Sequence, residues 1–315
     1  MPACQTDTMT ASPTAQSPIV VVTGANGLVG SRVCAKLVEA GASVRAVVRR
    51  SGSAPQLPGV EEVVGEFSDP ALAQSVVTNA TAVVSTVHPM GTDEQTQRRV
   101  AVEGTPVLAR AARDAGVSRL VHVSTAAVYD RSPGMGDVDE TSALVGDDAD
   151  AYAVTKRDTD AALSQIEGIT TVLVRPPAIL GSGHSSVWNS LRPAAIRDHE
   201  EARRANPEQT FAWVHLNDLS ALIADLAVGA MATADDPTDG PVEGRCIPLN
   251  VAGRDHTTMR VYHETVCRAL GVDPVWLDAP AWTGHYVADR AHRWGWNPIV
   301  DLMQSLVELE NDLTG

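Results

Sequence analysis

The chain is 315 residues long and carries 39 acidic against 24 basic side chains, a formal net charge of -15, with 4% aromatic residues. That balance argues against nucleic acid or an anionic membrane as partner, since both are bound through clustered Lys and Arg. No run reaches the ~18 consecutive apolar residues of a membrane-spanning helix.

In chain order, "MPACQTDTMTASPTAQSP" lacks Lys, Arg and an apolar centre, so residues 1–17 are expected to form a disordered tail and not a secretory signal. "IVVVTG" then predicts a buried strand, and "SRVCAKLVEAGA" a helix that Gly41 ends. "SVRAVVRR" predicts a second strand, "VEEVVGEF" a third, "ALAQSVVTN" a helix and "ATAVVSTV" a fourth strand. "TQRRVAVEGTPVLARAARDAG" predicts one long helix, "RLVHVST" a fifth strand, "AYAVTKRDTDAALSQI" a helix and "ITTVLVRP" a sixth strand. Strands alternating with helices predict parallel crossovers, hence the α/β class: a doubly wound parallel sheet covered on both faces.

After Pro177 the rhythm breaks. Residues 181–213 are polar and Pro-interrupted, "LNDLSALIADLAVGAM" is helical, and "ATADDPTDGPVEG" is a surface loop. "CIPLNVAG" predicts a short strand, with helices in "TTMRVYHETVCRALG" and "PIVDLMQSLVELENDL". The expected organisation is a Rossmann-type dinucleotide-binding domain over 18–180, to which 213–235 returns. Residues 181–212 and 236–315 form a smaller C-terminal α/β substrate lobe, at the sheet edge where open α/β sheets bind ligands.

Cys4, Cys34, Cys246 and Cys267 form no CxxC pair and are expected as free thiols in a cytoplasmic protein. The histidines show no HxxxH or HxH spacing, so no metal is expected.

Gly24, Gly27 and Gly30 stand between a predicted strand and a predicted helix. Glycine there allows a tight turn and close backbone approach, while the helix N-terminus offers unpaired N–H groups to a pyrophosphate. The second strand ends in Arg49 and Arg50, where NAD-selective proteins often carry an acid. Arginine suits a 2′-phosphate instead, so NADP is the expected coenzyme, with NAD as the alternative. Glu66, closing the third strand, is a candidate contact to the adenine amino group.

Tyr152 and Lys156 lie four apart on a predicted helix, hence on one face, in a chain with only two lysines. An ammonium beside a phenol is expected to lower its pKa from about 10 toward working pH. The tyrosine then exchanges a proton with a hydroxyl or carbonyl while hydride moves. Thr125, at the end of the fifth strand, is the expected second donor to the substrate oxygen, ahead of Ser124.

With these motifs the chain resembles the extended short-chain dehydrogenases/reductases, the NAD-dependent epimerase/dehydratase family. "TGANGLVG", "GVSRLVHVSTAAVYD", "YAVTK", "LVRPPAILGSG", "WVHLNDLSALI" and "RWGWNP" carry the resemblance, which covers almost everything after the tail. It implies catalytic roles for Thr125, Tyr152 and Lys156. It implies coenzyme contacts at Gly24, Asn26, Gly27, Leu28, Val29 and Gly30, then at Arg49, Arg50, Glu66 and Phe67. Ser85, Thr86, Lys156, Pro176 and Ile179 complete that set. The substrate is expected against His88, Thr125, Ala126 and Tyr152, with Trp188, Trp213 and Trp282 as apolar or stacking walls. A homodimer through two sheet-covering helices is implied by the same analogy.

Two departures stand out. Ala101 occupies the place of an Asn that many members carry, and Ala126 and Ala127 replace the Asp-Glu pair of the 4,6-dehydratases, which argues against elimination. The expected function is an NADP(H)-dependent oxidoreductase that interconverts a carbonyl and a secondary alcohol on a small organic molecule. A nucleotide-sugar epimerase with tightly held NAD, and a dinucleotide-binding protein without catalysis, are the alternatives.

Overall fold

Val20, Val21 and Val22 are all fully buried, a pattern that only a strand covered on both faces sustains. Val20 and Val22 point into one core and Val21 into the other, as the two-residue period of a strand requires. The computed structural model describes residues 17–314; the expected tail up to residue 16, with Cys4, lies outside them.

The first half reads β1 (Ile19–Thr23), α1 (Leu28–Glu39), β2 (Ser43–Val48), β3 (Val60–Val64), α2 (Pro70–Val77) and β4 (Ala82–Ser85). It continues through α3 (Glu94–Gln97), α4 (Gly104–Asp114), β5 (Arg119–Val123), α5 (Ala151–Ser164) and β6 (Thr170–Arg175). The second half holds β7 (Ala178–Leu180), α6 (Arg192–Asp198), β8 (Arg204–Ala205), β9 (Trp213–His215) and α7 (Leu216–Val228). It ends with β10 (Cys246–Asn250), α8 (Met259–Leu270), β11 (Val275–Trp276), α9 (Asp289–Arg293) and α10 (Leu302–Thr314).

Seven parallel strands form one sheet in the order β10-β6-β5-β4-β1-β2-β3. Helices α1 and α7 cover one face through Val33, Leu37, Leu219 and Ile223. Helices α2, α4 and α5 cover the other through Val76, Leu108 and Leu163. Each such side chain contributes about 1.5–3 kcal/mol by leaving water. Side chains set the helix starts: Asp69 accepts from the Leu72 N–H ahead of α2, and Asp150 from the Ala153 N–H ahead of α5.

Two expectations are corrected. The strand placed in the C-terminal lobe, β10, is the seventh strand of the main sheet, with Cys246 opposite Thr171 and Asn250 opposite Arg175. Its Ile247 and Leu249 belong to the sheet core, and the lobe is smaller accordingly. The long helix expected from Thr96 is interrupted by π-turns over Arg98–Glu103. The extra residue in a π-turn rotates the faces on either side of it relative to one another.

The lobe has its own core, in which Phe211, Trp213, Tyr262, Val266 and Leu309 pack together with α8 against α10. A further cluster holds Val128, Tyr129, Val138, Trp282 and Tyr286 beneath the segment that follows β5. No helix among the described residues is long and apolar enough to cross a membrane.

Candidate active site

The glycine loop closes on itself before it can hold anything. Gly24 has a positive φ of +71°, and a Cβ there would meet the Thr86 hydroxyl at 2.5 Å. A Cβ on Gly30 would lie 2.2 Å from the Gly24 carbonyl oxygen, so the first turn of α1 packs backbone to backbone against the end of β1. Gly27 is the N-cap of α1, with no side-chain cap and no acidic residue in the first turn. Its first N–H groups are thus left for an anion, which fits the pyrophosphate of a dinucleotide.

From this loop one cavity of about 750 Å³ runs to the ends of β5 and α5. Asn26, Leu28, Val29 and the three glycines line its start, with Arg49, Arg50, Glu66 and Phe67 beyond the ends of β2 and β3. Arg49 and Arg50 are exposed. Thr86, His88, Thr125, Ala126, Tyr152, Ile179 and Trp188 line its middle and far wall.

Thr125 is held by its own backbone. Its Oγ1 accepts from the Ala127 N–H at 3.2 Å, which leaves the hydroxyl proton for another acceptor. Tyr152 faces the cavity, yet its phenol is raised above its ordinary pKa rather than lowered. Burial is the main cause; the hydrogen bond with Thr125 pulls it back, and Asp150 and Asp160 push it up. Lys156, fully buried one turn along, gives its Nζ to the Val123 carbonyl at 2.7 Å. Burial pushes its pKa down to about 8, with Asp160 opposing. The expected depression of the phenol by the ammonium is thus not what governs here: burial comes first, and what opposes it is the Thr125 hydrogen bond.

Asp160 itself is buried and paired with Arg175 at 3.0 Å, while Ser124 donates to it at 2.9 Å. Ser124 therefore braces the ion pair behind the site.

His88 packs edge-on against Tyr152, with ring centroids 4.9 Å apart at 89°. Its Nε2 lies 3.1 Å from the Gln97 Oε1. The Gln97 amide nitrogen donates to the Thr92 carbonyl at 2.9 Å, so the amide oxygen faces the imidazole, which must carry its proton on Nε2. The other nitrogen, Nδ1, is buried without a partner. Burial and the nearby Lys156 push the His88 pKa down to about 4, which keeps the ring neutral. His122 lies behind, fully buried with neither ring nitrogen partnered among the described residues, and burial lowers its pKa well below the ordinary value.

Five expected residues do not line the cavity. Ser85 is a fully buried side chain of β4, and strand alternation turns Thr86 to the cavity instead. Lys156 stands behind Tyr152. Pro176 gives its carbonyl to the Ala126 N–H, and its neighbour Pro177 lines the wall. Trp213 is core, under Gly253 and bonded to the Asp255 carbonyl at 3.0 Å. Trp282 is 3% exposed and donates to the Gly136 carbonyl at 2.7 Å.

The sequence places the substrate pocket along residues 88–96, 130–150, 182–213 and 281–287, and Met90, Arg131 and Phe211 fall within these stretches; it singles out neither Gln97 nor His122 behind the wall, nor Met259 on it. Of these Gln97 alone has a signal, an amide one helical turn before Ala101, the position at which the family resemblance implies an Asn.

A family model described as NAD(P)H-binding matches residues 24–205, more than half of the chain. The chain is 29% identical over 201 residues to a 3 beta-hydroxysteroid dehydrogenase/Delta 5→4-isomerase of Mycobacterium tuberculosis, covering 60% of this chain and 54% of that one. It is 33% identical over 180 residues to a 4-hydroxy-2-methyl-3-oxo-4-farnesyl-3,4-dihydroquinoline-1-oxide ketoreductase of Stigmatella aurantiaca, covering 54% and 53%. The matches thus span about half the length of these curated relatives. Among solved structures, a short-chain dehydrogenase/reductase superfamily protein of Agrobacterium tumefaciens with bound NAD superposes with a TM-score of 0.74 at 20% identity, over 93% of this chain and 96% of that one. At that identity the likeness is one of fold.

Proposed function

This chain belongs to the NAD(P)H-binding family, and from that premise we propose that it is an NADP(H)-dependent oxidoreductase of the extended short-chain dehydrogenase/reductase type, interconverting a ketone and a secondary alcohol. The observation that carries this reading is the single cavity: the dinucleotide loop and the Tyr152–Thr125 pair line one continuous space. Two relatives are named for oxidoreduction at a carbonyl or hydroxyl, which supports it.

NADPH bound along the glycine loop supplies the hydride. Tyr152 gives its phenolic proton to the carbonyl oxygen as that oxygen gains charge, and takes it back in the reverse direction. Its raised pKa keeps it protonated and ready to donate. Thr125, whose hydroxyl is hydrogen-bonded with Tyr152, steadies the same oxygen when it turns its proton to the substrate. Lys156, one helical turn along, holds its Nζ on the Val123 carbonyl, and burial draws its pKa down to about 8. Arg49 and Arg50 favour the 2′-phosphate of NADP over the bare hydroxyl of NAD.

The test is a titration with NADPH and NADH followed by a ketone panel. Tighter NADPH binding with oxidation of NADPH by a ketone is expected. A tightly bound, stoichiometric NAD retained through purification would overturn this reading in favour of a nucleotide-sugar epimerase.

A further inference from the structure

Arg131 sits seven positions before the acidic stretch's Val138 and lines the same cavity as Thr125 and Tyr152. It is partly buried, with its guanidinium 5.6 Å from the centroid of the Trp282 ring. Among the described residues it makes no ion pair with a carboxylate. Burial draws its pKa down, opposed only by the phenol of Tyr286.

Four acids lie near it along the chain, and each is bonded elsewhere. Asp130 takes the Ser132 N–H and hydroxyl at 3.0 and 2.6 Å, and Asp137 the His285 N–H at 2.7 Å. Asp139 holds the Thr141 and Ser142 hydroxyls, and Glu140 accepts from the Asn250 N–H at 3.0 Å. A desolvated guanidinium without a counter-ion is costly, and an arriving anion removes that cost.

We infer that Arg131 anchors a carboxylate of the substrate, so that the molecule turned over here is an apolar ketone or alcohol bearing an acid group. The identity of the reacting group rests on the oxidoreductase reading; the carboxylate site does not. A carboxylate matches because Arg131 presents one planar fork, suited to two parallel hydrogen bonds. The cavity's other guanidiniums, Arg49 and Arg50, stand beyond β2 with the coenzyme loop. The walls that remain, Met90, Trp188, Phe211 and Met259, suit an apolar body.

The test is calorimetric titration of octanoate and of octanamide onto the NADP-loaded protein, read without turnover. Octanoate is expected to bind about tenfold or more tightly than octanamide, the value of one charged hydrogen-bonded pair. Arg131→Gln is expected to erase that preference, Arg131→Lys to keep part of it, and both to bind NADP as the parent does. Equal binding of acid and amide, no binding of either, or a preference that survives in Arg131→Gln overturns the inference. If Arg131→Gln does not fold, the parent's preference and its decrease in Arg131→Lys decide. Separately, failure to reduce 2-octanone and 3-oxooctanoate with NADPH sinks the oxidoreductase reading while leaving the octanoate result standing.

Discussion

The two ends of the cavity are built by different means. At the proposed coenzyme end the backbone does the work: Gly24, Gly27 and Gly30 fold β1 into α1 within ten residues and leave the helix N-terminus without a side-chain cap. At the substrate end side chains do it, brought from the segment after β5, the stretch before α6, the loop before β9 and the start of α8. The first end tolerates little change of shape. The second, built from side chains of separate segments, is free to vary, and on the proposed reading it sets what is turned over.

Tyr152→Phe breaks the comparison at the junction of the two ends and has the largest expected effect. Turnover falls by about 10²–10⁴-fold, the usual worth of a positioned acid. NADPH affinity, measured by fluorescence titration, stays near that of the parent. A phenylalanine variant that turns over normally would remove Tyr152 from the mechanism.

Next comes Arg49→Asp, which touches the coenzyme end alone. NADPH is expected to bind about 10–100-fold more weakly, as a charged hydrogen-bonded pair is lost, while NADH changes little. An unaltered ratio of the two coenzymes would refute the role of this arginine.

Gly30→Ala measures how rigid the backbone-built end is. The new methyl meets the Gly24 carbonyl at 2.2 Å and the Thr86 hydroxyl at 3.0 Å. A loss of about 1–3 kcal/mol is expected in urea unfolding, together with weaker coenzyme binding. Met259→Leu, at the other end, keeps volume and is expected to cost less than about 1.5 kcal/mol. If the two variants lose equal stability, the contrast between the ends is mistaken.

The last effect is read in acid. His88 and His122 are neutral in the fold, and both take protons near pH 6.5 once unfolded. The unfolded chain therefore binds more protons between pH 6.5 and about 4, so stability falls as pH drops through that window. Each histidine adds at most about 1.4 kcal/mol per pH unit. His122→Leu is expected to flatten the slope without touching the cavity wall, and an unchanged slope would contradict its burial as a neutral ring.

Much of the fold was legible because parallel strands buried on both faces leave continuous runs such as "IVVVTG", and helices between them repeat every three to four residues. The seventh strand was not assignable, since "CIPLNVAG" shows a strand but not which neighbour it pairs with. The tryptophans show the same limit. Trp188 lines the cavity, whereas Trp213 and Trp282 spend their indole N–H groups on the carbonyls of Asp255 and Gly136. Composition cannot tell a wall from a core.

What the sequence by itself determined is local: the strand-turn-helix of the glycine loop, the one-turn spacing of Tyr152 and Lys156, and the basic end of β2. Each depends on residues close along the chain, where backbone geometry leaves few choices. The tertiary structure alone decided that burial governs the tyrosine's acidity, that Gln97 turns His88 into a bare acceptor, and that no carboxylate of the described residues pairs with Arg131. Desolvation and pairing are set by what distant segments place nearby, and that is written in no short stretch of the chain.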